Sequence, residues 1–174
     1  MNAICPIEAV IPRVQFEAAR DAAATWRGRC LDVFARSEAA VTETLLVLAS
    51  VDGCAPALKL PHLVGQRYDA LSKALGPNGA FADKGKPAFT AIAAFQKHDA
   101  LRTQLSHGIF TVTLDHRGNW HLVTRVLALR AGRPARDLLV VEQAEAAAIL
   151  EALENDGNRL RSVLGQIRHR YAMI

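Results

Sequence analysis

Residues 99–129 read DALRTQLSHGIFTVTLDHRGNWHLVTRVLAL, and the hydrophobic period changes in the middle of them. Up to His107 the apolar residues Leu101 and Leu105 are four apart, the spacing of one helix face. Beyond Gly108, the residues Phe110, Val112 and Leu114 alternate with Thr111 and Thr113, the spacing of one strand face. Trp120–Leu129 is equally β-like, and His116-Arg117-Gly118-Asn119 reads as the turn between the two runs. The stretch therefore predicts a helix ending at His107-Gly108, with Gly108 in the left-handed conformation that closes many helices. A β-hairpin over 109–129 follows it.

Outward from this point the chain reads as helix. Pro12 suits a first helical position, and no proline interrupts from there to about Ser50. Trp26, Cys30, Val33, Phe34, Val41, Leu45 and Leu48 recur at helical spacing, which gives one long helix or two halves broken near Gly28. Asp52-Gly53 is its stop. Pro61 opens a second helix with the stripe Val64, Tyr68, Leu71 and Leu75, ended by Gly76-Pro77. Gly76–Pro87 (GPNGAFADKGKP) reads as a loop. Pro87 starts the third helix, with Phe89, Ile92 and Phe95 on one edge and Leu101 and Leu105 on another. After the hairpin, Arg130–Arg136 reads as a loop. A last helix spans about Glu142 to Arg170, with Ile149, Leu150, Leu153, Leu160, Leu164 and Ile167 on its core side and Gly157 as a dent. The fold class is mainly α: one domain over 1–174, an up-and-down helical bundle with a β-hairpin inserted before the last helix.

Composition narrows the function classes. The chain has 174 residues, 51% hydrophobic and 22% charged, which excludes a disordered chain. Its apolar runs fall far short of the roughly 18 residues of a membrane span. Met1–Ile11 has no basic region and carries Pro6 and Glu8, so no secretory signal is read there. The net charge is +4, and 16 of the 21 basic residues are Arg, whose planar fork suits phosphate. Three cysteines, Cys5, Cys30 and Cys54, show neither CxxC nor Cys–His spacing; a reducing cytoplasm is the expected compartment. The histidines, His62, His98, His107, His116, His121 and His169, are scattered, with no HExxH. No metal site and no cofactor are expected. Walker A, GxGxxG, GxSxG and helix-turn-helix patterns are absent as well.

One constellation remains. The third helix ends in Arg102-Thr103-Gln104-Leu105-Ser106-His107-Gly108, an R-x4-H followed by glycine, with a hairpin next. This resembles the signature of the HEPN superfamily, the higher eukaryotes and prokaryotes nucleotide-binding domains. The resemblance spans about Val33–Ile167 and includes Phe34-Ala-Arg-Ser-Glu38, which looks like the glutamate-bearing helix of such proteins. Thr103 stands where the family often has Asn, Asp or His. The resemblance implies a bundle of four or five helices and a metal-independent endoribonuclease, often a toxin or defence effector. It also implies RNA as substrate, a homodimer, and a protein partner such as an antitoxin. Arg102 and His107 would then be the catalytic pair.

The residues support that chemistry in physical terms. A helix C-terminus favours the imidazolium form of His107, by up to ~2 kcal/mol in a favourable site, and a histidine titrating near neutrality suits proton transfer to a leaving oxygen. Arg102 would stabilise charge building on phosphoryl oxygens. Five residues separate the two by about 140° around a helix and about 7.5 Å along it, so they do not share a face. A second copy related by a two-fold axis near the third helix would bring a complementary set. Glu38 and Glu43 on the first helix are candidates for orienting Arg102 or His107, and His98, one turn before Arg102, for lining the same cleft. Arg159, Arg161, Arg168 and Arg170 are candidates for tracking RNA phosphates. The plainer reading of each is structural: Arg102 paired with Asp99 at i−3, His107 as a helix cap, the others as solvated charges. The alternative function is a non-catalytic HEPN-like interaction module that binds a protein partner or nucleotide.

Overall fold

A computed structural model describes residues 13–51, 60–130 and 133–172. It is mainly helical, with a small antiparallel sheet before the last helix. Helix α1 runs unbroken over Arg13–Ala49, so Gly28 does not divide it. At 37 residues it is about 55 Å long. Pro12 and Asp52-Gly53, its expected limits, lie outside the described residues. All seven residues of the predicted stripe, from Trp26 to Leu48, are buried. Helix α2 (Val64–Leu75) starts at Val64 and not at Pro61; it ends at Gly76, as its sequence predicts.

The third helix departs from expectation. It begins at Ala82 rather than Pro87, so most of the predicted loop closes into a turn and a helix start, with Pro87 inside α3 (Ala82–Phe95). The glycines of that stretch serve close packing: a Cβ on Gly85 would stand 2.4 Å from the Leu75 carbonyl oxygen. This contact seats the start of α3 on the end of α2. A short 3-10 turn, Gln96–His98, then separates α3 from α4 (Asp99–His107). Gly108 is extended, at φ −76° and ψ 147°, not left-handed. Glycine is still required there, because a Cβ would meet the Gln104 carbonyl oxygen at 2.4 Å.

The hairpin is present but belongs to a three-stranded meander. Strand β1 (Ile109–Leu114) pairs with β2 (Trp120–Arg130), and β2 pairs with β3 (Arg133–Glu142), in the order β1-β2-β3. The predicted loop at Arg130–Arg136 is corrected accordingly: Arg130 closes β2 and Arg133–Arg136 open β3. Pro134 is tolerated there because β3 is an edge strand. In the β1–β2 turn, Gly118 has φ +85°. The Asp115 carboxylate accepts from the backbone N–H groups of Arg117 and Asn119, both at 2.8 Å, and from Asn119 Nδ2 at 3.0 Å.

The last helix, α5 (Gln143–Tyr171), lies against α1. Gly157 does not dent it. A Cβ there would stand 2.7 Å from Val33 Cγ1, so the glycine lets α5 lie close against α1 at this point. The sheet closes one end of this pair: Trp120 and Leu122 are buried, and Phe110, Val112 and Leu114 pack against the same core. The Trp26 indole donates to the Ala146 carbonyl at 2.7 Å and meets the Trp120 ring at 6.3 Å, joining α1, α5 and β2.

Replacing Trp120 with Ala is expected to destabilise the fold by about 3–5 kcal/mol, read by chemical denaturation. A change below about 1 kcal/mol would mean that the sheet hangs free of the bundle. The Asp115 carboxyl is held down, to about 2, by its Asn119 side-chain hydrogen bond first and then by the backbone donors. A depressed carboxyl stabilises the turn above its unfolded pKa of about 4 and loses that contribution as pH falls towards 2. NMR titration of Asp115 should therefore show a midpoint near 2; one near 4 would contradict the turn geometry.

Candidate functional site

A nine-residue helix such as α4 is marginal by itself in water, so its neighbours must hold it. Near its start, Arg102 Nε donates to Glu38 Oε1 on α1 in a close ion pair. Both side chains are mostly buried, at 29% and 22% exposure, where a charged hydrogen bond outweighs an exposed pair. At its end, Arg27 of α1 donates to the Leu105 carbonyl through Nε at 3.0 Å and Nη2 at 2.8 Å. That carbonyl is among the last of the helix, which lack intrahelical partners. The Arg27 guanidinium also lies 3.9 Å over the Phe110 ring, tying α4 to β1. A third tie runs from Thr124 Oγ1 on β2 to Gln104 Oε1 at 2.8 Å.

Of the predicted residues, the structure brings Glu38 to Arg102 and separates the rest. Arg102 turns towards α1, while His107 is exposed at the last position of α4. No hydrogen bond or ion pair joins Arg102 to His107 among the described residues, in keeping with their different helix faces. Asp99 is not the hydrogen-bond partner of Arg102; Glu38 is. His98 Nε2 is 2.9 Å from Asp156 Oδ2 on α5, so its contact is with the bundle and not with Arg102. Glu43 lies 3.5 Å from Arg168 Nη2 and orients neither Arg102 nor His107.

The four arginines of α5 split into two faces. Arg161 and Arg168 are seven residues apart, about 20° around the helix, and both reach α1. Arg161 donates to Ser37 Oγ at 3.3 Å. Arg168 donates to the Ala40 carbonyl and Thr44 Oγ1, each at 3.1 Å. Arg159 and Arg170 lie on roughly the opposite side and are exposed. The four do not form one strip.

Between α2 and α4 is a cleft of about 150 Å³, lined by Gly65, Tyr68, Asp99, Arg102 and Thr103 among others. Tyr68, which the helical spacing marks only as core, has a buried hydroxyl with no hydrogen-bond partner among the described residues. Burial first, then the charges of Glu38 and Asp99, raise its pKa and keep the phenol protonated. The Asp99 carboxyl is likewise pushed up by burial, partly offset by the Arg102 guanidinium and raised again by Asp69 and Glu38. Residues that sequence reasoning missed are therefore Arg27 and Tyr68. An arginine at a surface-like position gives no sign that it will close a distant helix, and a tyrosine in an apolar stripe reads as packing.

Among the described residues, no group of three His, Cys, Asp or Glu side chains could hold a metal ion. Cys30 is buried and its thiol is pushed up to about 12, chiefly by burial, so it is a packing residue and not a nucleophile. No helix of the described residues is long and apolar enough to cross a membrane. No family model, curated protein or solved structure matches this chain.

The Glu38–Arg102 pair should be measurable as a coupling. In a double-mutant cycle with Glu38→Gln and Arg102→Ala, the interaction is expected at about 1.5–3 kcal/mol, the range of a hydrogen bond to charged groups. A coupling indistinguishable from zero would mean that α4 is held by its apolar side alone.

Proposed function

We propose that this chain is a metal-independent endoribonuclease of the HEPN type, with Arg102 and His107 as its catalytic pair. The observation that supports the reading is how Glu38 holds Arg102. The carboxylate takes Nε, and among the described residues no acceptor takes the two terminal nitrogens, which is the fork that grips a phosphate. His107 is exposed at the end of the same short helix. The 2′-hydroxyl of RNA is an internal nucleophile, so the reaction needs no metal. The 2′-oxygen attacks the adjacent phosphorus, charge builds on oxygens facing Arg102, and the imidazolium of His107 gives its proton to the departing 5′-oxygen. The 2′-hydroxyl proton passes to solvent water.

Arg102 and His107 lie on different faces of α4, so the working site is a composite of two copies related by a two-fold axis beside α4. In this reading Glu38 is a positioning residue, and Arg159 and Arg170 are the α5 arginines left to meet RNA phosphates. The protein acts in the cytoplasm as a toxin or defence effector, and an antitoxin is its partner. A second reading, a non-catalytic module that binds another protein, is favoured by one observation: the exposed apolar side chains of the sheet, Ile109, Leu127 and Leu138.

RNA cleavage by the pure protein in EDTA separates the two. Products should carry 2′,3′-cyclic phosphate or 3′-phosphate ends and 5′-hydroxyls, and DNA should resist for want of the 2′-hydroxyl. His107→Ala should lower the rate roughly 10²–10⁴-fold, and Arg102→Lys should restore only part of what Arg102→Ala loses. Mixing the two inactive variants, Arg102→Ala and His107→Ala, should recover activity if the site is shared between copies. Full activity in His107→Ala would sink the mechanism, and no cleavage by clean wild-type protein would favour the binding module.

A further inference from the structure

Strand β3 is the edge of the sheet, and its outer face is apolar between two opposite charges. The registers Leu127↔Arg136, Arg125↔Leu138, Val123↔Val140 and His121↔Glu142 put Arg136, Leu138, Val140 and Glu142 on one side. That side points away from the bundle: Leu138 is 62% exposed and Val140 44%, whereas Val141, on the other side, is fully buried. Beyond β3, no described strand pairs with its second edge. A ten-residue edge with apolar exposed side chains invites another strand.

We infer that this edge pairs antiparallel with β3 of a second copy of the chain, around a two-fold axis at Leu139. Register selects this pairing. In an antiparallel pair, opposite residues share a face, so a symmetric pairing must be centred on a residue. Centred on Leu139, Arg136 faces Glu142 of the second copy at both ends, and Leu138 faces Val140 twice between them. Centring on Asp137 sets Arg136 against Leu138; centring on Leu138 sets Arg136 against Val140; centring on Val140 sets Glu142 against Leu138. Only the Leu139 register matches charge to charge and apolar to apolar on the outer face, and cross-strand pairs of these kinds are the favourable ones. The result is a continuous six-stranded sheet. Its axis lies in β3, separate from the one proposed beside α4, and it does not depend on any ribonuclease activity. Seven residues per copy make a small interface, of the size of weak and transient ones.

Sedimentation velocity at roughly 100 µM tests this on four proteins: wild type, Arg136→Glu, Glu142→Arg and the double reversal. Each single reversal sets like charges against each other at both ends and should halve the mass of the assembly, while the double reversal should restore it. Val140→Lys, which puts a charge between the apolar pairs, should also halve it. Circular dichroism checks that each exposed substitution leaves the fold intact. A monomeric wild type, the same mass for all four proteins, or a double reversal that stays dissociated would overturn the inference.

Discussion

Everything in this fold leans on one 37-residue helix. The middle of α1, Ser37–Thr44, carries polar groups on a helix whose other inward positions are apolar, and arginines from three helices converge on it. Arg67 of α2 donates to Thr42, Arg102 of α4 to Glu38, Arg161 of α5 to Ser37, and Arg168 of α5 to Ala40 and Thr44. Ser37 and Thr44 are fully buried, and such groups destabilise a core unless they are hydrogen-bonded. Arginine suits the task because its long apolar stem packs while its fork reaches several acceptors. The apolar contacts drive the helices together; the arginines fix how they sit along α1.

The short α4 shows what this arrangement does for a site. Its two ends are pinned to α1 in opposite senses, Arg102 reaching out to Glu38 and Arg27 reaching in to the Leu105 carbonyl. The 3-10 turn at Gln96–His98 frees it from the line of α3, so it can be placed by these contacts. Arg102 thereby combines an Nε held by Glu38 with two terminal nitrogens that no acceptor takes among the described residues, and it lines a cleft that also holds Asp99 and the Tyr68 hydroxyl.

The main helices and the first hairpin were legible because their signals are local. The stripe Trp26–Leu48, the alternation Phe110–Leu114 and the turn at Arg117-Gly118 state their period within a few residues, and they appear where the pattern puts them. The misses have non-local causes. Gly85 looks like a chain breaker, yet it is a close-contact position whose need arises from Leu75 on another helix. Pro134 is compatible with a strand only because β3 has a free edge, a fact of sheet order. For the site, Glu38 and Arg102 are 64 residues apart, and only their assembly shows that Glu43, five residues further along α1, belongs to Arg168 instead.

In the proposed ribonuclease, Glu38 holds Arg102 by Nε and leaves its terminal nitrogens for a phosphate beside His107. Arginine side-chain NMR, with a short RNA whose reacting 2′-hydroxyl is methylated as the probe, reads this directly. A slowly exchanging Arg102 Nε–H, lost in Glu38→Gln, is expected. RNA should shift the Arg102 terminal nitrogens and the His107 ring together while the Nε–H persists. An Nε–H that exchanges like that of an exposed arginine, or RNA that moves neither Arg102 nor His107, would contradict it.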